Sequence, residues 1–191
     1  MSIIGIFAIM KYRIFIASHI PNNLKKVFID YQQRKLIDPC FRLVPQESLH
    51  LTLIFIGFIK DNDLLKINQV CQNTVSLFSP IEIKFNKITY GPNPHSPRLV
   101  WAEGEISKEL NQLRETLEDK LIDQGINIKV ENRLFKPHIT LARLRAKPSS
   151  LLKIEEEIDK SFVIDCISVV QSELTNQGPK YTDLSTYSFN K

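Results

Sequence analysis

Hydrophobic and polar positions follow two different periods along the chain, and these periods separate predicted strands from predicted helices. Segments that alternate in polarity, or that are rich in β-branched and aromatic residues, predict strands at 12–18, 50–58, 81–90, 98–102, 126–130, 138–144, 162–174 and 181–189. Apolar residues spaced three and four apart predict helices at 21–36, 64–78, 106–124 and 151–160. Strands and helices that alternate, with short hairpin-like connections, indicate an α+β fold.

The organisation predicted from this pattern is one domain with two similar lobes. A related strand pattern occurs once in each half of the chain, and each lobe is expected to be a small antiparallel sheet backed by helices. Residues 1–10 are apolar, and residues 1–11 are predicted to form a short extension before the first strand, with Met10 as an alternative start. They lack the basic segment and small-residue cleavage site of a secretory signal. Residues 12–191 are expected to form the bilobal domain.

Composition narrows the classes of protein without identifying a ligand. The 191 residues are 43% hydrophobic, which is enough for a substantial core. The net charge of +4 is compatible with an anionic ligand. No apolar run is long enough to cross a bilayer, so no membrane partner is expected. The three cysteines are widely spaced, so we expect neither disulfides nor a zinc site, but a reducing, cytoplasmic location.

The strongest indication of a functional site is a motif that occurs twice. His50-Leu51-Thr52-Leu53 and His138-Ile139-Thr140-Leu141 both begin predicted strands. Because side chains alternate faces along a strand, each motif presents its histidine and threonine on one surface and its aliphatic residues on the other. A single histidine in an apolar strand is more often structural. Only four histidines occur in the chain, so the repetition favours a shared function.

Two such strands facing one cleft would suit phosphodiester hydrolysis. A neutral imidazole can take a proton from water while a protonated imidazole gives one to the leaving oxygen. Histidine has an unperturbed pKa of about 6.5, so both forms are accessible near neutral pH. The hydroxyl groups of Thr52 and Thr140 can hydrogen-bond the phosphate oxygens, where charge develops in the transition state. This scheme needs no metal and no other cofactor.

Other residues have weaker signals. Arg143 could bind a phosphate bidentately, but its spacing of three from Thr140 places it on the opposite face unless a bulge follows Leu141. Phe15 and Tyr181 are candidates for stacking on a base, although most aromatic residues in strands belong to the core. The acidic run 155–157 is expected to be a solvated helix face.

These motifs and their surroundings resemble the 2H phosphoesterases, and among them the RNA 2′,3′-cyclic phosphodiesterases, also called 2′-5′ RNA ligases. The likeness includes the segments YRIFIASHIP, VPQESLHLTLIFIG, PRLVWAEG, FKPHITLAR and GPKYTDL. It implies two pseudo-symmetric antiparallel sheets, flanked by helices, around a central cleft. It also implies His50 as acid, His138 as base, and Thr52, Thr140 and Arg143 as phosphate-binding residues, although the two histidine roles could be exchanged. Leu43 departs from the tryptophan that relatives often carry there.

The leading hypothesis is therefore metal-independent hydrolysis of RNA 2′,3′-cyclic phosphate ends to 2′-phosphates by a monomer. The partner would be RNA or a nucleotide that carries the cyclic phosphate. One alternative is reversible 2′-5′ ligation of tRNA halves at the same site. A second alternative, from another class, is a nucleotide- or RNA-binding protein without physiological turnover. Two complete motifs argue against the second, because binding alone does not require two titratable groups.

Overall fold

A computed structural model gives the structure of the protein over residues 12–93, 95–130, 134–145, 154–176 and 178–190. Three helices are described, α1 (Asn22–Lys35), α2 (Asp61–Val75) and α3 (Lys108–Asp123), with a 3₁₀ turn at Gln46–Ser48. The described strands are β1 (Tyr12–His19), β2 (Phe41–Leu43), β3 (His50–Ile59), β4 (Ile81–Gly91), β5 (Leu99–Gly104), β6 (His138–Leu144), β7 (Glu155–Ile164), β8 (Cys166–Thr175) and β9 (Gly178–Ser188).

All the described strand pairs are antiparallel, and the strand order is β7-β4-β5-β6-β3-β1-β8-β9, with β2 beside β6. The first four strands in this order form one half-sheet and the last four form the other. The halves meet where Leu51 of β3 pairs with Ile139 of β6. The predicted α+β class is thus confirmed, and the two predicted sheets are halves of one continuous sheet.

The core lies between the sheet and the helices. Leu51 and Ile139 at the junction are fully buried, in the same hydrophobic cluster as Phe28 of α1 and Leu113 and Leu117 of α3. A smaller cluster of Phe15, Ala17 and Val170, with Tyr181 packed against it, is separate from this core. Phe15 and Ala17 alternate along β1 with Ile14 and Ile16, which belong to the main core, so the smaller cluster lies on the other face of the sheet.

The helix predicted at 151–160 is wrong where the structure describes it. Residues 155–160 belong to β7, which pairs with β4, and residues 151–153 lie outside the described part. The apolar residues Ile154, Ile158 and Phe162 are spaced by four, which fits a helical turn and also keeps one face of a strand. The pairing of this segment with β4 shows that it is a strand and not a helix. The acidic run 155–157 is therefore strand, and Glu156 lies 3.9 Å from the Arg34 guanidinium of α1.

Smaller differences concern boundaries and short elements. Residues 126–130 form no strand, and the predicted strand 162–174 is divided at Asp165 between β7 and β8. The three-residue strand β2 was not predicted, because so short a segment has no detectable period. The extension 1–11 lies outside the described residues, so that boundary stays a prediction. None of the described helices has the length and apolarity needed to cross a bilayer.

Candidate active site

The two motifs meet at the junction of the half-sheets. Leu51 and Ile139 are partners in the antiparallel register and both are buried on the core side. The flanking histidines and threonines therefore project from the other face, with His50 across from Thr140 and Thr52 across from His138. The two histidines are diagonal neighbours, and such positions are separated by about 7–8 Å. Both imidazoles therefore stand on the same face of the sheet, one on each side of the junction.

A cavity of about 600 Å³ opens at this junction. All five residues predicted for the site line it: His50, Thr52, His138, Thr140 and Arg143. Its volume is within the range of sites for small organic ligands.

Arg143 reaches the cavity because β6 has a β-bulge between Thr140 and Arg143. Val100 of β5 pairs with Ala142, and the next residue, Trp101, pairs with Thr140. Leu141 is therefore an extra residue in β6 and, like Ala142, it is fully buried. Two successive buried residues reset the alternation, so Arg143 projects on the same side as Thr140.

Both imidazoles are oriented by the same local contact. His50 Nδ1 lies 2.7 Å from the carbonyl oxygen of Ser48, and His138 Nδ1 lies 3.0 Å from that of Lys136. A carbonyl oxygen can only accept, so Nδ1 donates in both residues. The other ring nitrogen, Nε2, is then the one that can accept a proton. Nε2 of His50 lies 3.0 Å from Thr52 Oγ1.

The surroundings of His50 favour its neutral form. Its ring is packed against Phe15 and Tyr181, with ring centroids 5.0 and 5.2 Å away. This burial is the largest cause that lowers the pKa of His50, the Ser48 carbonyl opposes it, and the charges of His19, Arg143 and His138 add to it, so that the pKa is about 4. His50 is consequently neutral at pH 7 in the free protein.

His138 has different neighbours. The Trp101 ring centroid lies 4.5 Å from that of His138, and Glu103 is the residue directly across from it on β5. Glu103 is buried and contacts Lys136 Nζ at 2.7 Å and Lys87 Nζ at 3.2 Å. Burial acts to raise the pKa of Glu103, but the two ammonium groups outweigh it and the pKa is lowered. Glu103 thus holds Lys136, whose carbonyl orients His138.

The charge of the cavity wall is positive. Arg13, Arg42 and Arg143 line it, and no aspartate or glutamate stands among the described lining residues. Such a surface attracts anions. In the part of the chain that the structure describes, no three histidine, cysteine or acidic side chains come together as a metal site would require.

Several lining residues were not predicted from the sequence. Arg13 lies two residues before Phe15 and hence on the same face of β1, a signal that alternation alone provides. Phe55 is 64% exposed on the wall and lies three residues after Thr52, as Arg143 lies three after Thr140. Arg42 had no sequence signal, because β2 was not predicted. Tyr181, a candidate for base stacking, packs against the ring of His50.

The chain is similar to known proteins over most of its length. The family model of the 2′-5′ RNA ligase superfamily matches residues 29–176. The RNA 2′,3′-cyclic phosphodiesterase of Methanothermobacter thermautotrophicus is 29% identical over 186 residues, which cover 93% of this chain and 99% of that protein. The protein of the same name from Archaeoglobus fulgidus is 31% identical over 151 residues, which cover 76% of this chain and 82% of that protein.

Two solved structures share the fold. The crystal structure of TT0787 of Thermus thermophilus superposes with a TM-score of 0.83 at 26% identity, covering 93% of this chain and 97% of that one. Escherichia coli LigT complexed with 3′-AMP superposes with a TM-score of 0.75 at 21% identity, covering 95% of this chain and all of that one. Because the family match covers most of the chain, and the fold agrees with it, the chain belongs to the 2′-5′ RNA ligase superfamily, which confirms the resemblance seen in the sequence.

Proposed function

We propose that the protein hydrolyses RNA 2′,3′-cyclic phosphate ends to 2′-phosphates by a two-histidine mechanism that needs no metal and no other cofactor. The observation that carries the proposal is the shared geometry of the imidazoles. Each histidine is anchored through Nδ1 to the carbonyl two residues earlier, and both line one cavity with Arg143. Relatives named RNA 2′,3′-cyclic phosphodiesterase, similar over most of the chain, support the choice of substrate.

The reaction needs one proton removed and one supplied. Water attacks the phosphorus atom as one imidazole takes its proton, and the bond from phosphorus to O3′ breaks as the other imidazole protonates that oxygen. The products are a 3′-hydroxyl and a 2′-phosphate. Thr52, Thr140 and Arg143 hydrogen-bond the non-bridging oxygens, whose charge increases in the transition state.

Two assignments of the histidines are compatible with this scheme. The family resemblance implies His50 as the acid and His138 as the base. This requires the bound phosphate anion to raise the pKa of His50 from about 4, which a charge in contact with a buried imidazole would do. The reverse assignment is favoured by the neutral state of His50 in the free protein, since a neutral imidazole is ready to act as base.

Apolar side chains on the cavity wall offer a surface for the nucleoside part of the substrate. Leu43, Phe55, Leu99 and Leu174 line the cavity around the histidines, and Phe55 and Leu174 are largely exposed. An exposed ring beside a positive surface suits a base, because bases stack on aromatic side chains. We further propose a cytoplasmic monomer, since one chain supplies all five site residues and Cys40, Cys71 and Cys166 are free thiols.

The test is hydrolysis of adenosine 2′,3′-cyclic phosphate in the presence of EDTA. We expect full activity and a 2′-phosphate product, with His95→Ala as the matched control because His95 does not line the cavity. Activity that requires a divalent metal would contradict the mechanism. RNA binding without hydrolysis of any cyclic phosphate would contradict the function and leave the binding-protein alternative. Ligation of 2′,3′-cyclic and 5′-hydroxyl ends at a higher rate than hydrolysis would favour the ligase alternative.

A cyclic substrate with sulfur in place of O3′ separates the two histidine assignments. A thiolate leaves without protonation, so this substrate restores activity to a variant that lacks the acid and not to one that lacks the base. Rescue of His50→Ala alone would assign His50 as acid. Rescue of His138→Ala alone would assign the reverse.

A further inference from the structure

Two arginines stand directly opposite each other at the edge of the cavity. Arg42 of β2 and Arg143 of β6 are partners in the antiparallel register, and both line the cavity. Like charges directly opposite on neighbouring strands destabilise a sheet, and an anion bound between or beside them removes that cost. The pair thus places two positive charges side by side at one edge of the cavity.

Arg42 also connects the two half-sheets. Its backbone belongs to β2, beside β6, while its guanidinium contacts Gly178 at the start of β9 in the other half. Gly178 has a φ of +128°, and a side chain there would collide with the Arg42 Nη2 atom. Glycine at this position leaves the space that the guanidinium occupies. Arg42 consequently forms one rim of the cavity, on the side where β2 adjoins β6.

Arg42 and Arg143 serve different positions in the cavity. Arg143 follows the motif of β6 and lies beside the histidines, where the reacting phosphate is proposed to bind. The backbone of Arg42 is one strand from that of Arg143, about 4.8 Å away, and its guanidinium extends further, to the start of β9. Neighbouring phosphates of a polynucleotide are also several ångströms apart, so one phosphate at the histidines and a second at Arg42 would occupy adjacent places along the same cavity.

We propose that Arg42, beside Arg143, binds the phosphate on the 5′ side of the terminal nucleotide. The substrate class is then the cyclic phosphate end of an oligonucleotide or of a 5′-phosphorylated nucleotide, in preference to a nucleoside cyclic phosphate. This inference rests on the proposed function, because it assumes that the cyclic phosphate lies between His50 and His138. It adds a specificity-determining residue, which recognises a phosphate that takes no part in the reaction.

The test compares kcat/KM for three substrates: adenosine 2′,3′-cyclic phosphate, its 5′-phosphorylated form, and a diadenosine dinucleotide that ends in a cyclic phosphate. We expect the unaltered protein to prefer the two substrates that carry a 5′ phosphate group by about tenfold or more, the usual size of a charge-assisted contact. Arg42→Gln should reduce this preference towards one. The matched control is Arg34→Gln, which removes the same charge from α1 outside the cavity and should keep the preference.

A failure of the Arg42 inference can be distinguished from a failure of the proposed function. No hydrolysis of any of the three substrates would contradict the function itself. Hydrolysis of all three with equal kcat/KM by the unaltered protein would contradict only the role of Arg42. If the role of Arg42 were purely structural, Arg42→Gln would lower kcat/KM for all three substrates by the same factor and would lower the temperature of unfolding. Either result, together with an unchanged preference for the 5′ phosphate, would also overturn the inference.

Discussion

The two half-sheets present the same backbone arrangement with different side chains. In the first half, His50, Thr52 and Phe55 of β3 pair with His19, Ala17 and Phe15 of β1. In the second half, His138, Thr140 and Arg143 of β6 pair with Glu103, Trp101 and Leu99 of β5. Each motif strand contains an extra residue directly after its threonine, Leu53 in one and Leu141 in the other.

The two halves share a backbone arrangement but place different side chains beside the motifs. The residue three positions after the motif threonine reaches the cavity in both halves, since both strands are bulged. It is the aromatic Phe55 in one and the cationic Arg143 in the other. The residue across from the histidine is His19 in one half and the carboxylate Glu103 in the other. We infer that both motifs contact the phosphate, that Phe55 of the first half also faces the nucleoside, and that Arg143 of the second half adds positive charge beside the phosphate.

The largest effect is expected from removing either imidazole. His50→Ala and His138→Ala should each reduce kcat for 2′,3′-cyclic phosphate hydrolysis by about 10³-fold, because general acid–base groups contribute about 10²–10⁴. The measurement is steady-state hydrolysis with EDTA, alongside circular dichroism to show that each variant is folded. If one of the two variants retained full activity, the equivalence of the halves in catalysis would be wrong.

Arg143 should have the next largest effect. Arg143→Gln is expected to lower kcat by about 100-fold, because it removes a charge that faces the transition state. Arg143→Lys should restore only part of this, since an ammonium cannot bind two oxygens in a fixed plane. A second substitution, Phe55→Arg, places an arginine at the equivalent position of the first half. It should not restore activity to Arg143→Gln if the two halves have different roles. Full restoration would show that they are interchangeable.

The sequence predicted which motif residues share one face of the sheet better than it predicted the residues at the edge of the cavity. His50, Thr52, His138 and Thr140 were predictable because alternation in a strand depends only on neighbouring residues. Arg143 needed a bulge, whose presence depends on the register against β5 and is not encoded locally. Arg42 depends on the pairing of β2 with β6, a contact between residues about a hundred positions apart. The 151–160 helix failed because a spacing of four fits both periods.

The burial of His50 predicts a dependence of stability on pH. Its pKa is about 4 when folded and about 6.5 when unfolded, so the unfolded state binds the proton first as the pH falls. The stabilisation is complete above about pH 6.5 and decreases until about pH 4, by about 2–3 kcal/mol. Urea unfolding at pH 7 and pH 4.5 measures it, and His50→Gln should lack this component. An equal pH dependence in the unaltered protein and His50→Gln would contradict the burial.

Phe55 should give the smallest of these effects. Phe55→Ala is expected to raise KM for adenosine 2′,3′-cyclic phosphate about tenfold and to change kcat little, because stacking on a base is made equally in the ground and transition states. Leu65→Ala is the matched control, an exposed apolar residue of α2 that does not line the cavity. A fall in kcat with an unchanged KM would contradict a role in binding the nucleoside.

The most direct test of the central claim, that both motifs surround one phosphate, is nitrogen-15 NMR of the histidine side chains during titration with adenosine 2′-phosphate, the proposed product type. We predict that the Nε2 resonances of His50 and His138 shift together with one dissociation constant, while those of His95 in the loop outside the cavity stay unchanged. A response of only one of the two imidazoles, or responses with different dissociation constants, would contradict a single site shared by the two halves.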